Sequence, residues 1–283
     1  MDASIYPGCS LDGTAREYGE SLETVARLLD VQLHELEDWN CCGASSAHVV
    51  NDHLAVALAA RNLAIADRAG MDLVVPCAAC YQRLKVAEKA LLAGSRIDGV
   101  EGYSGKIRVK PLADFLWEDV GEKKIVSLLK KPMKGLNAVC YYGCLTARPP
   151  KITDSRRPEN PMSMDEIVTS LGGEVRPWSY KTDCCGGSLI LTQPEIAKTL
   201  IRKLLDMAEE AGAECIVATC PMCQSNLDSR QSEISRESGR QYNMPILYLT
   251  EVMGLAYGHP SAKKWLRRHI TDPRPLLMQK SLV

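Results

Sequence analysis

The sequence predicts an α/β fold. It reads as two homologous domains related by a pseudo-twofold axis, each a small, mostly parallel sheet flanked by helices, with cysteines at the carboxyl-terminal edge of the strands. Three observations predict it. Short apolar runs of β character alternate with helical patterns along the whole chain, the order that builds parallel sheets with crossover helices. The pattern occurs twice, because Cys41, Cys42, Cys77 and Cys80 recur at Cys184, Cys185, Cys220 and Cys223, each shifted by 143 residues. Each of these cysteine motifs also follows closely on a predicted strand. With 283 residues, two domains of about 140 residues each are reasonable sizes. The Lys-rich stretch Gly121–Gly135, which contains Pro132, is the natural linker, so the domains are expected at 1–125 and 126–283.

In the first half, Ser4–Tyr6 is a short strand ending in Pro7-Gly8-Cys9. Thr14–Leu29 reads as a helix with Leu22, Val25, Ala26 and Leu29 on one face. Val31–Leu36 is a second strand, running towards Trp39 and the sequence Asn40-Cys41-Cys42-Gly43. A long apolar helix is expected over His48–Ala69, stopped by Gly70. Leu73–Val75 is a continuous apolar run suited to a buried parallel strand and ends at Pro76-Cys77. A helix follows from Cys80 to Ala93, then a glycine-rich turn and a fourth strand at Ile107–Val109.

The second half repeats this order. Ala138–Tyr142 is a strand ending at Gly143-Cys144, and Met164–Leu171 is a helix closed by Gly172-Gly173. Glu174–Trp178 leads towards Asp183-Cys184-Cys185-Gly186. Pro194–Ala211 is the long helix, Cys215–Ala218 the buried strand, and Ile246–Leu249 the fourth strand. Cys9 and Cys144, both in a Tyr-x-Gly-Cys setting, are 135 residues apart rather than 143. The second copy therefore carries eight extra residues before its cysteine pair, placed in the loop Arg148–Pro161.

Composition excludes several function classes. Lys plus Arg is 34 and Asp plus Glu is 35, a net charge of −1, so there is no basic excess to neutralise a phosphate backbone. Nucleic acid is not an expected partner. Met1–Ile5 has neither a basic start nor an apolar core of a secretory signal. No run reaches the roughly 18–20 apolar residues of a spanning helix. A cytoplasmic location is expected, where thiols stay reduced and clustered cysteines point to metal or redox chemistry.

Because parallel strands joined by right-handed crossovers all point one way, each half should bring its five cysteines to one sheet edge. Three chemistries compete there. A structural zinc site uses four ligands, commonly two Cys-x-x-Cys pairs, which five thiols with two adjacent ones fit poorly. A thioredoxin-like dithiol needs one Cys-x-x-Cys and leaves the double cysteines unexplained. Iron–sulfur chemistry, held by Cys thiolates, matches best. The five histidines (His34, His48, His53, His259 and His269) have no metal-ligand spacing, and Cys140 and Cys215 fall outside the repeat as buried, inert thiols.

The arrangement Cys, then Cys-Cys-Gly, then Cys-x-x-Cys, in two copies, resembles the cysteine-rich CCG-domain family, most nearly the B subunits of heterodisulfide reductases. The likeness covers nearly the whole chain. Tyr141-Tyr142-Gly143-Cys144-Leu145-Thr146-Ala147-Arg148-Pro149-Pro150, Asp183–Gly187 and Cys220-Pro221-Met222-Cys223-Gln224 carry it. The resemblance implies that Cys9, Cys41, Cys42, Cys77 and Cys80 hold one non-cubane [4Fe–4S] cluster. Cys144, Cys184, Cys185, Cys220 and Cys223 would hold a second. It further implies reductive cleavage of a small disulfide, such as that of coenzyme M and coenzyme B, between the clusters. The alternative within the family is an electron-transfer or interaction subunit of a related dehydrogenase or sulfur-oxidation complex. The chain has no Gly-x-Gly-x-x-Gly fingerprint, Walker motif or compact ferredoxin-type cysteine run. By resemblance, electrons come from a ferredoxin-like iron–sulfur subunit and a flavin-containing subunit. Lys181 and Arg148 lie near the cysteine motifs and are candidates to meet an anionic substrate.

Overall fold

The computed structural model describes residues 1–44 and 47–283, without the side chain of His48. Among the described residues, eight strands form two four-stranded sheets. The first sheet contains β1 (Asp2–Ile5), β2 (Gln32–Glu35), β3 (Leu73–Val75) and β4 (Val109–Pro111) in the order β2-β1-β3-β4. The second contains β5 (Asn137–Tyr141), β6 (Glu174–Val175), β7 (Cys215–Ala218) and β8 (Ile246–Tyr248) in the order β6-β5-β7-β8. The two orders are the same in each copy, and every pairing is parallel. The central strands β3 and β7 are buried along their whole length, as the uninterrupted runs Leu-Val-Val and Cys-Ile-Val-Ala require.

The crossover helices include α1 (Arg16–Leu28), α2 (Asp52–Ala69) and α3 (Ala78–Leu92) in the first half. Their counterparts are α4 (Ser163–Ser170), α5 (Pro194–Glu210) and α6 (Pro221–Ser229), and α7 (Leu249–Ala256) follows β8. The helix expected over 48–69 is two pieces. Asn51 caps α2, its side chain accepting from the Leu54 N–H at 2.9 Å, so the turn Ala47–Val50 stands apart. The fourth strand sits two residues later than expected, at Val109–Pro111. The stretch Glu174–Trp178 that leads towards the second cysteine pair is strand only over Glu174–Val175. Arg176 still donates to the Ala138 carbonyl at 2.7 Å, but the next acceptor, the Cys140 carbonyl, is taken by the Trp178 indole N–H at 3.0 Å.

The stretch 121–135, expected as the linker, is packed against the rest of the chain. It forms the helix Glu122–Ser127, and Ile125 and Met133 are fully buried. The halves also exchange helices. On α1, Ser21 meets Thr250 of α7 hydroxyl to hydroxyl at 2.6 Å, and the Tyr18 ring stacks on Tyr248 with centroids 4.2 Å apart. Reciprocally, Ser163 at the start of α4 donates to Asp114 beyond β4. Each half thus completes the other, and both apolar cores draw residues from both halves.

This interlock puts equivalent residues face to face. Tyr18 donates its hydroxyl to the Thr219 carbonyl at 2.7 Å and lies 3.2 Å from the Pro76 carbonyl. Those two residues immediately precede Cys77 and Cys220, whose sulfurs are 4.0 Å apart.

Candidate metal centre

Each cysteine owes its position to a local device that occurs twice. β1 ends at Ile5, and Gly8, at φ +67°, turns the chain into the single helical turn Gly8–Leu11 that carries Cys9. Gly143, at φ +73°, does the same before Cys144. A side chain at either glycine would intrude on the cysteines. A Cβ on Gly8 would lie 3.1 Å from the Cys80 sulfur, and one on Gly143 would lie 3.1 Å from the Cys223 sulfur.

The double cysteines sit on loops held by tyrosines from the neighbouring strands. Tyr6 donates to the Asn40 carbonyl at 2.7 Å, and Tyr141 donates to the Asp183 carbonyl at 2.7 Å. Asn62 of α2 adds a two-way clasp on Asn40, accepting from its N–H at 3.0 Å and donating to its carbonyl at 2.8 Å. Beyond each pair the chain bends back, so that the Gly43 N–H points to the Cys41 sulfur at 3.4 Å and the Gly186 N–H to the Cys184 sulfur at 3.3 Å. Cys77 and Cys220 are the N-cap residues of α3 and α6, which places Cys80 and Cys223 in the first turns. That end of a helix favours negative charge.

The sulfurs converge in each half. Cys42 and Cys80 are 3.3 Å apart, and Cys185 and Cys223 are 3.6 Å apart. Cys42, Cys77, Cys80, Cys185, Cys220 and Cys223 are buried, whereas Cys9, Cys41 and Cys184 are exposed and Cys144 is half-buried. Each set therefore has a dry floor and an open rim.

Paired thiols divide the proton between them. The hydrogen bond from Cys80, helped by the Ala44 N–H and Tyr6, outweighs burial and brings Cys42 down to about 7. Cys144 does the same for Cys184, down to about 6, with the Gly186 N–H assisting. Cys220 is held well below the ordinary thiol range by Cys223 and Cys77. The partners move up: Cys80 next to Cys42 and Cys77, and Cys223 next to Cys185 and Cys220. Thiolate is the metal-binding form, so each set holds at least one sulfur that favours it, while the raised partners would release protons on binding a cationic centre.

Among the described residues no three His, Cys, Asp or Glu side chains are placed to share a single metal ion. The sets are instead sulfur-only groups spread over three loops, and Gly8 and Gly143 leave room beside the sulfurs. Both features fit an iron–sulfur group, which Cys thiolates hold.

Other sequence-selected residues stand apart from the sulfurs. The Lys181 ammonium is buried and pairs with Asp165 at 2.7 Å, with the Pro161 carbonyl at 3.1 Å as a further acceptor. Only its backbone reaches the cysteine loop, its carbonyl accepting from Gly143 at 3.1 Å. Arg148 pairs with Glu159 on the half-exposed edge of the loop 148–161. Cys140 and Cys215 are fully buried, and burial pushes Cys215 up to about 12. Sequence reasoning missed the supporting groups Tyr6, Tyr141, Asn62 and Asn226, the last of which donates to the Cys185 carbonyl at 2.7 Å. The repeated Tyr-x-Gly-Cys was the available signal for the tyrosines.

Comparison with known proteins agrees with this construction. The model of the cysteine-rich domain family CCG matches residues 3–85 and 138–228. The membrane anchor subunit of the 8-methylmenaquinol:fumarate reductase of Wolinella succinogenes is 31% identical over 96% of this chain and 98% of its own length. A protein of Archaeoglobus profundus that is like the B subunit of heterodisulfide reductase is 28% identical over 92% of this chain and 91% of its own. The B subunit of a ferredoxin/F420H2-dependent CoB–CoM heterodisulfide reductase of Methanosarcina acetivorans is 27% identical over 90% and 89%. Among solved structures, a hypothetical protein from Helicobacter pylori shares the fold, with a TM-score of 0.74 at 15% identity. The likeness spans 96% of this chain and about half of that one, at 52%. The chain belongs to the CCG cysteine-rich domain family and is an iron–sulfur redox subunit of the kind found in multisubunit reductases.

Proposed function

We propose that each five-cysteine set holds one non-cubane [4Fe–4S] cluster and that a disulfide is reduced between them, at their open rims. The substrate is a small mixed disulfide of the coenzyme M–coenzyme B type. The observation that carries this reading is the meeting of two complete sets at the pseudo-twofold axis, with Cys77 and Cys220 4.0 Å apart. Breaking an S–S bond to two thiols takes two electrons and two protons, whereas iron–sulfur groups pass electrons singly. Bound here, a pair of clusters supplies one electron to each half of the breaking bond. The chain's own part is to hold the two sets at a fixed separation, keep the inner sulfurs dry and leave the rim around Cys9, Cys41 and Cys184 open. Electrons arrive from a ferredoxin-like subunit and a flavin-bearing subunit, because the chain carries no nucleotide-binding fingerprint.

A second reading rests on the 31% identity to the fumarate reductase subunit. In it the same two sets relay electrons from a quinol to a fumarate reductase, and no disulfide takes part. That relative is named a membrane anchor, yet among the described residues no helix here is long and apolar enough to cross a membrane.

The two readings separate in one anaerobic assay of the cluster-loaded protein. With an artificial one-electron donor, disulfide cleavage is expected, with one chain turning over many substrate molecules. No cleavage of any tested disulfide, together with oxidation of a menaquinol analogue, would transfer the assignment to the relay.

A further inference from the structure

The two cysteine sets are alike in their sulfurs and unlike in their charge. At 143 residues' offset, Asn226 in the second half corresponds to Arg83 in the first, and Asp183 corresponds to Asn40. Arg83 lies on α3, three residues after Cys80 and therefore on the same face. It is half-buried. Its Nε is buried without a hydrogen-bond partner, and among the described residues no carboxylate pairs with it. Ser45 and Ser46, outside the described residues, carry no charge that could neutralise it.

The second set has no cation at the corresponding position. In place of Arg83, Asn226 spends its amide on the Cys185 carbonyl at 2.7 Å. Asp183, directly before Cys184, carries a negative charge whose partner Lys203 is 3.6 Å away. Arg61, which reaches the Asn40 side chain next to the first set, is matched by its ion pair with Asp38. Asp38 thus offsets Arg61 and Lys203 offsets Asp183, and the guanidinium of Arg83 remains as the difference between corresponding positions.

A fixed positive charge favours the state that has gained an electron, and net charge is one of the determinants of iron–sulfur potentials. We propose that Arg83 gives the N-terminal set the higher reduction potential, so that its cluster takes the first electron and the C-terminal cluster the second. This rests on both sets holding a cluster. The consequence is directional. Two sites built alike by duplication would fill in random order, whereas a charge on one side fixes the order.

The test uses the full-length protein purified anaerobically. Iron and sulfide are measured first, because a set without iron defeats the two-cluster reading and says so separately. Cys42→Ala and Cys185→Ala then assign each paramagnetic signal to its half, and both couples are titrated with dithionite and followed by electron paramagnetic resonance. The wild type should show the N-terminal couple at the higher potential. Arg83→Gln should lower that couple's one-electron reduction constant at least tenfold, about 59 mV, and leave the other in place. Arg83→Lys should keep the wild-type order, and Asp183→Asn should raise the C-terminal couple and narrow the gap. Equal or inverted couples in the loaded wild type overturn the proposal, whatever becomes of the variants. So does an Arg83→Gln variant, loaded in both halves, whose two potentials match those of the wild type.

Discussion

At the scale of single residues, the site depends on what is left out as much as on the sulfurs. Gly8 and Gly143 are needed twice over, for a positive φ and for the space that a Cβ would take from Cys80 and Cys223. Gly8→Ala is expected to cost about 1–2 kcal/mol from the left-handed backbone alone, and to lower the iron bound by its own half more than that of the other. Denaturant midpoints and iron content, measured on the same samples, check both parts. His269 offers a pH test away from the sulfurs. Burial pulls it down, but the charge and hydrogen bond of Glu251, at 2.9 Å, carry it up to about 9. Its folded value thus lies above its unfolded one. The stability it adds is complete below about pH 6.5 and fades as the pH rises through about 9, on the order of 3 kcal/mol in all. Urea midpoints between pH 6 and 10 should fall, and His269→Gln should flatten the decline.

At the scale of elements, the cysteine positions were legible in the sequence because each follows a strand end, a place fixed by topology rather than by side-chain detail. What was not legible came from local chemistry. Asn51 splits the helix expected over 48–69, and the Trp178 indole takes the Cys140 carbonyl where β6 would have continued. Lys181 looked like a substrate contact because it lies close in sequence to Cys184, yet proximity along the chain says nothing about side-chain direction. Its ammonium is sealed against Asp165 on α4, with Tyr142 also bonded to that carboxylate at 2.7 Å. Lys181→Met would leave Asp165 buried without its counter-charge, and a loss of about 3–5 kcal/mol is expected. Thermal unfolding of the variant against Lys181→Met/Asp165→Leu should show the double change recovering much of that loss.

At the scale of the whole molecule, duplication was plain from the spacing of 143, but the exchange of helices between halves was not. Nothing in a one-dimensional pattern says that α1 packs on α7 or that α4 packs beyond β4. That exchange welds two repeats into one body. It also places Tyr18 across the axis, touching Pro76 and Thr219 next to the inner cysteines. Tyr18→Phe should cost about 1 kcal/mol in stability by the loss of that hydrogen bond, with both halves loosened together in a single unfolding transition.

The central claim is that two equivalent sulfur sets each hold a multi-iron cluster. It is tested most directly by iron and acid-labile sulfide per chain in anaerobically purified protein, in the wild type and in Cys42→Ala and Cys185→Ala. About eight irons and matching sulfide are expected for the wild type, falling to about four in either variant. Colourless protein with one or two zinc ions, or a variant that loses all its iron at once, would contradict it.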